Sequence, residues 1–124
     1  MNEDEYKREK RRQRALERLG TTKPKCIYCE ESDPHCLELH HLPDRTYGDD
    51  TVIVCRNHHR KLSNMQKGHP KQIGSPPDPL ECIAHFLLCL ADFFELLIEK
   101  LRESGDKLIS EVSVRSESQG CDNE

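Results

Sequence analysis

The chain contains no Trp and only three Phe and three Tyr in 124 residues. That scarcity excludes a large aromatic-rich core. No uninterrupted apolar run approaches the roughly 18 residues that suggest a membrane-spanning helix. The first residues are charged and lack the apolar stretch of a secretory signal, so the expected setting is intracellular, cytoplasmic and reducing. A surplus of positive charge is missing too. The formal net charge of −4 excludes a uniformly basic DNA-coating protein. What is abundant is seven Cys and seven His. An odd Cys count in a reducing setting points to metal rather than disulfides. A domain this small also benefits from an ion that supplements its core.

The positive charge that exists is concentrated at one end. Residues 1–25 carry nine Lys or Arg against five Asp or Glu, a net of +4. Residues 3–19 are rich in helix formers, with acids in the first turn and Gly20 as a stop. Residues 1–22 therefore read as a basic helical arm. Its Lys7, Arg8, Lys10, Arg11, Arg12 and Arg14 are candidate phosphate contacts, or else a solvated charged face. Residues 23–66 hold most of the Cys and His. Within them, 37–42 and 51–55 read as short strands and 57–65 as a short helix. Residues 67–79 are dense in Pro and Gly and read as a linker. Residues 80–112 read as an apolar helix, and the Ser- and Glu-rich 113–124 as a disordered tail.

Cys26-x2-Cys29 and Cys55-x2-His58 carry the strongest signal. A Cys-x2 pair at a tight turn offers two thiolates to one ion, and a second pair completes a tetrahedron. A closed Cys3His set of this kind is structural, and it supplies folding energy. Zn2+ is the expected ion. The competing reading is a set of small buried hydrophobes. Cys36, Cys82, Cys89 and Cys121 have no x2 partner. Cys82 and Cys89 read as core fillers of the apolar helix.

A second group comprises His40 and His41, adjacent on a strand, and His59, directly after His58. Neighbouring strand residues point to opposite faces, so His40 and His41 diverge unless the strand bends. Glu38 shares the face of His40. The segments CIYC, LELHHLPDR and DDTVIVCRNHHRKLSN together resemble the HNH endonuclease family over residues 24–66. The resemblance implies an α+β fold of ββα-metal type, here a small zinc-stabilised domain flanked by the basic N-terminal helix and the apolar C-terminal helix. It implies His41 as general base, with His40 and His59 as ligands of a catalytic Mg2+ or Mn2+. Asp50 stands near the place of the family's Asn and is the candidate orienter of His41. The fourth zinc ligand is His58 where the family more often has Cys, which leaves open which of His58 and His59 binds which ion.

The chemistry implied is DNA phosphodiester hydrolysis. A neutral His can take a proton from water near neutral pH, and a divalent ion can neutralise charge on the phosphoryl group. Arg45, Arg56, Arg60 and Lys61 are candidate phosphate contacts. The alternative is a non-catalytic zinc-stabilised nucleic-acid-binding or adaptor module. In the C-terminal helix, Leu80, Ile83, Leu87, Leu90, Phe94, Leu97 and Leu101 recur at steps of three and four, a heptad-like seam. A helix this apolar needs a cover: the zinc domain, a membrane surface, or a second copy. Homodimerisation through residues 80–101 is the preferred expectation.

Overall fold

The computed structural model describes residues 1–120, with side chains described through residue 118. Two compact units divide the chain, Met1–Phe93 and a second from Phe94 onward. Among the described residues the architecture is mixed α+β: three helices and a two-stranded antiparallel sheet.

Helix α1 spans Glu3–Leu19. It starts where expected because Asn2 closes a capping box. Its side chain accepts from the Glu5 N–H at 2.8 Å, and the Glu5 carboxylate accepts from the Asn2 N–H. It ends at Gly20, whose φ of 76° is left-handed and favours glycine. Only Ala15, Leu16 and Leu19 are buried, so the helix is anchored by its last turn. Arg18 adds to that anchor by donating to the Leu37 carbonyl at 3.1 Å. The residues Lys7, Arg8, Arg11 and Arg12 are exposed.

A 3-10 turn at Pro34–Cys36, capped by the Asp33 side chain, leads into strand β1, Leu37–His41. Strand β2, Thr51–Cys55, pairs with it antiparallel, Leu37 opposite Cys55 and His41 opposite Thr51. Helix α2, Arg56–Gln66, follows without a break. Leu37, Val54 and Leu62 have no exposed surface and form the small core between the hairpin and α2. This register sets His40 and His41 at the hairpin end of β1, and His58 and His59 in the first turn of α2.

Helix α3 spans Pro79–Gly120, 42 residues. It is much longer than the apolar stretch. The Ser- and Glu-rich segment expected as a disordered tail is helical through Gly120, while residues 121–124, Cys121 among them, lie outside the described residues. Strong helix formers on both sides of the Ser104–Gly105 break signal let the helix run through it. The portion of α3 within the first unit buries His85, Cys89 and Phe93. This face differs from the heptad-like seam, because Leu80, Ile83 and Leu87 are exposed. The linker, 67–79, contains no helix or strand until Pro79. Its backbone is tied down by the Glu81 carboxylate, which accepts from the Ile73 and Gly74 N–H groups.

Candidate metal centre and histidine cluster

Cys26, Cys29, Cys55 and His58 converge, with their ligand atoms all within 4.8 Å of one another. The measured edges are 3.7 Å from Cys26 Sγ to His58 Nδ1, 3.9 Å between the sulfurs of Cys29 and Cys55, and 3.1 Å from Cys55 Sγ to His58 Nδ1. Bonds of about 2.3 Å to a tetrahedral ion set its ligands roughly 3.8 Å apart. The Cys3His set therefore fits one metal ion. The two pairs come together because the Cys26 turn closes on itself, Cys26 N–H donating to Glu31, and Ile27 N–H donates to the Ile53 carbonyl of β2.

The local backbone also suits anionic sulfur. Tyr28 N–H points at Cys26 Sγ, and His58 N–H at Cys55 Sγ. Cys55 is the N-cap of α2, so the helix terminus faces its sulfur. Burial opposes the Cys26 thiolate, but the N–H groups of Tyr28, Cys55 and Cys29 outweigh it and hold this thiol below its ordinary range. Cys29 is pushed up to about 11, first by burial and then by the neighbouring sulfurs. A cation among the four relieves that conflict. Tyr28 seals the inner side. It is almost fully buried, its ring lies 4.9 Å from that of His58, and its hydroxyl donates to the Phe93 carbonyl at 2.8 Å.

The second histidine group assembles around a separate small cavity of about 200 Å³, lined by His40, His41, Asp44, Arg45, His59, Ser63 and Gln66. Although His40 and His41 are neighbours on β1, both reach this space, because His41 is the last residue of the strand. The rings of His40 and His59 meet edge to face, 5.2 Å between centroids. His40 is 2% exposed, and burial, with His59 and His41 nearby, lowers its pKa to about 4. It is a neutral imidazole at physiological pH.

Each histidine has a fixed partner. Glu38 Oε2 lies 2.5 Å from His59 Nδ1, and Arg56 Nε is 3.4 Å from the other Glu38 oxygen. Gln66 Nε2 lies 3.2 Å from His40 Nε2 and donates to the His41 carbonyl at 3.3 Å. Arg45 Nε donates to His41 Nε2 at 3.1 Å. His41 Nδ1 is buried with no partner. Among the described residues, the Cys3His set is the one group of three or more His, Cys, Asp or Glu with donors this close together. The histidine cluster is thus three imidazoles, His40, His41 and His59, with the Glu38 carboxylate attendant on His59.

Asp50 occupies a different place from the one a side-chain orienter needs. It is exposed, its carbonyl accepts from the Leu42 N–H at 2.8 Å, and no described hydrogen bond joins its carboxylate to His41. Arg60 and Lys61 are exposed on α2, away from the cavity linings described. Arg18 is a residue the sequence reading missed. With His35, Glu38, His41, Arg45 and Arg56 it lines a second cavity of about 430 Å³ that shares His41 and Arg45 with the first. Three guanidinium groups against one carboxylate make this cavity cationic. Glu38 and Gln66 were also not singled out as site residues. For Glu38 the signal was there, since two-residue spacing puts it on the face of His40.

Comparison with known proteins adds no identity: no family model, curated protein or solved structure matches the chain.

Proposed function

We propose that this chain is a zinc-stabilised, metal-dependent endonuclease of HNH type that hydrolyses DNA phosphodiester bonds. The observation that carries the reading is the meeting of His40, His41 and His59 around one cavity, with a cationic cavity that shares His41 and Arg45 with it. Zn2+ suits the sulfur-rich tetrahedron, and with all four positions filled by protein it is structural. The second ion, Mg2+ or Mn2+, belongs with His40 and His59. Gln66 engages one nitrogen of His40 and Glu38 one of His59, and each ring has a second nitrogen beyond those bonds. A hard ion that prefers oxygen ligands also suits Glu38. When bound, such an ion neutralises charge on the phosphoryl oxygens and the leaving oxygen.

The residues of the chain do the rest. Arg18, Arg45 and Arg56 receive the phosphates that flank the scissile bond. When Arg45 turns to a phosphate it leaves His41 Nε2 free, and that nitrogen takes the proton from the attacking water. Arg45 thereby links substrate arrival to release of the base. The exposed Lys7, Arg8, Arg11 and Arg12 extend the phosphate contacts along α1. Homodimerisation fits the same picture, since two copies bring two cutting sites. The seam positions Leu80, Ile83 and Leu87 are exposed in the first unit, and Phe94 and Leu101 in the second.

The second reading is a non-catalytic zinc module that binds nucleic acid. It is favoured by His41 Nδ1, which lacks the acceptor that orients a general base, and by the outward position of Asp50. Incubation with supercoiled plasmid in Mg2+, Mn2+ or EDTA separates the two. Metal-dependent nicking or linearisation that His41→Ala abolishes, with zinc content and DNA binding retained, is the expected result. A folded, zinc-loaded protein that binds plasmid and never cuts it leaves only the binding module.

A further inference from the structure

A third cavity, of about 240 Å³, lies against the first unit's part of α3 and takes no part in the chemistry above. Its lining includes Cys89, His69, Gln66, Lys71, Tyr47 and His85. Three of its neighbours stand in line. Asp92 Oδ2 is 2.6 Å from His69 Nε2, with both side chains more than four-fifths buried. His69 Nδ1 faces Cys89 Sγ at 3.9 Å. Asp92 holds the Nε2 proton, so Nδ1 is the basic nitrogen, and it is aimed at a thiol. Gln66 Nε2 donates to the same sulfur at 3.3 Å, where it can stabilise developing negative charge. Sequence separations of 20 and 23 residues bring these groups together from the linker and two helices.

A brace between linker and helix needs a hydrogen bond from His69 to Asp92 and nothing more. It does not need a thiol on the other nitrogen, an amide donor on that thiol, or a cavity reaching it. Cys89 is only 4% exposed, so bulky reagents are kept out, while the cavity gives access to molecules near the size of water. Burial pushes the thiol pKa up, so at rest it is protonated and its reactivity depends on an adjacent base.

We propose that Cys89, His69 and Asp92 form a base-assisted thiol site that small hydroperoxides oxidise to a sulfenic acid. The thiol proton passes to His69 Nδ1, the sulfur attacks the terminal, hydrogen-bearing oxygen of the hydroperoxide, an S–O bond forms and the O–O bond breaks. The departing hydroxide or alkoxide takes the proton from His69, so Cys–SH and ROOH become Cys–SOH and ROH. The added oxygen occupies the space where Gln66 meets the sulfur. Gln66 Nε2 also donates to the His41 carbonyl and lies 3.2 Å from His40 Nε2, so oxidation at Cys89 displaces a residue shared with the histidine cluster.

The test uses the full, zinc-loaded chain pulsed with hydrogen peroxide, then quenched in denaturant with dimedone and read by peptide mass spectrometry. Cys36 and Cys82 are the internal controls, both more exposed than Cys89. Cys89 is expected to form the adduct at least about tenfold faster than either. Asp92→Asn and His69→Gln are expected to slow it by about a hundredfold, the lower end of what a positioned base supplies. Cys36 labelling and zinc content stay as in the wild type. A size comparison on the wild type alone covers variants that fail to fold: an aromatic disulfide reagent should reach Cys36 first and leave Cys89 untouched. Labelling of Cys89 by peroxide no faster than Cys36 and Cys82, or at an unchanged rate in both variants, overturns the proposal. None of these readings depends on nuclease activity.

Discussion

Acidification should cost this fold stability through one residue, His40. In the native state its imidazole is 2% exposed and its pKa is lowered to about 4, first by burial and then by His59 and His41. In the unfolded chain it titrates near the ordinary value of about 6.5. Above that value both states hold the neutral ring, and the full stability is present. As pH falls below it, the unfolded state takes up the proton first, and stability drains away until the native ring is protonated as well. The window runs from about 6.5 down to about 4, and the loss across it is about 3 kcal/mol. A loss of that size is a large share of the stability of a domain this small. Urea midpoints at pH 7.0, 6.0, 5.0 and 4.5 measure it. The cysteine thiolates also protonate in acid, so the diagnostic quantity is the difference between the wild type and His40→Gln. The variant should lose less stability than the wild type over the same range. Parallel curves for the two proteins would refute the reasoning, as would a His40 ring titration near 6.5 by NMR.

Three further outcomes follow from the geometry. Cys55→Ser should abolish tight metal binding by the Cys3His set and most of the ordered structure of residues 23–66, read by metal analysis and by near-ultraviolet circular dichroism, because a serine hydroxyl keeps the cap of α2 but does not replace a thiolate ligand. Tyr28→Phe should destabilise by about 1 kcal/mol, because it removes the buried hydrogen bond from the Tyr28 hydroxyl to the Phe93 carbonyl, while the metal content is unchanged. The full chain should be dimeric in light scattering at tens of micromolar. Leu87→Glu together with Leu101→Glu should return it to monomer, and a wild type that is monomeric at that concentration counts against pairing through the exposed seam.

The readable parts of this protein are those in which neighbours in the chain are neighbours in space. Two x2 pairs present their ligands from tight turns, so spacing alone announced the Cys3His set. The α1 boundaries follow from Asn2, Glu5 and Gly20, all of which act on the backbone within four residues. Strand β2 was legible from a run of β-branched residues, and α2 from the residues after Cys55. Composition pointed to a disordered tail over residues 113–124, and α3 continues through Gly120, because helix propensity accumulates along a segment already started. The heptad-like pattern was legible too, but the pattern does not say which face of a helix meets its own domain. His85, Cys89 and Phe93 took that role in the first unit.

Sequence by itself determined the metal-ligand set, the helical arm and the hairpin with its following helix, because short-range spacing and backbone caps decide those. Only the tertiary structure decided what each histidine touches. Glu38 meets His59 across 21 residues, Gln66 meets His40 across 26, and Arg18 reaches β1 from another helix across 19. The placement of His69 between Asp92 and Cys89 is likewise invisible in the linear order, since the linker is fixed by bonds to α3. Side-chain chemistry at these sites depends on burial and on distances of a few ångströms. Those are properties of the packed chain, set when the elements close on one another.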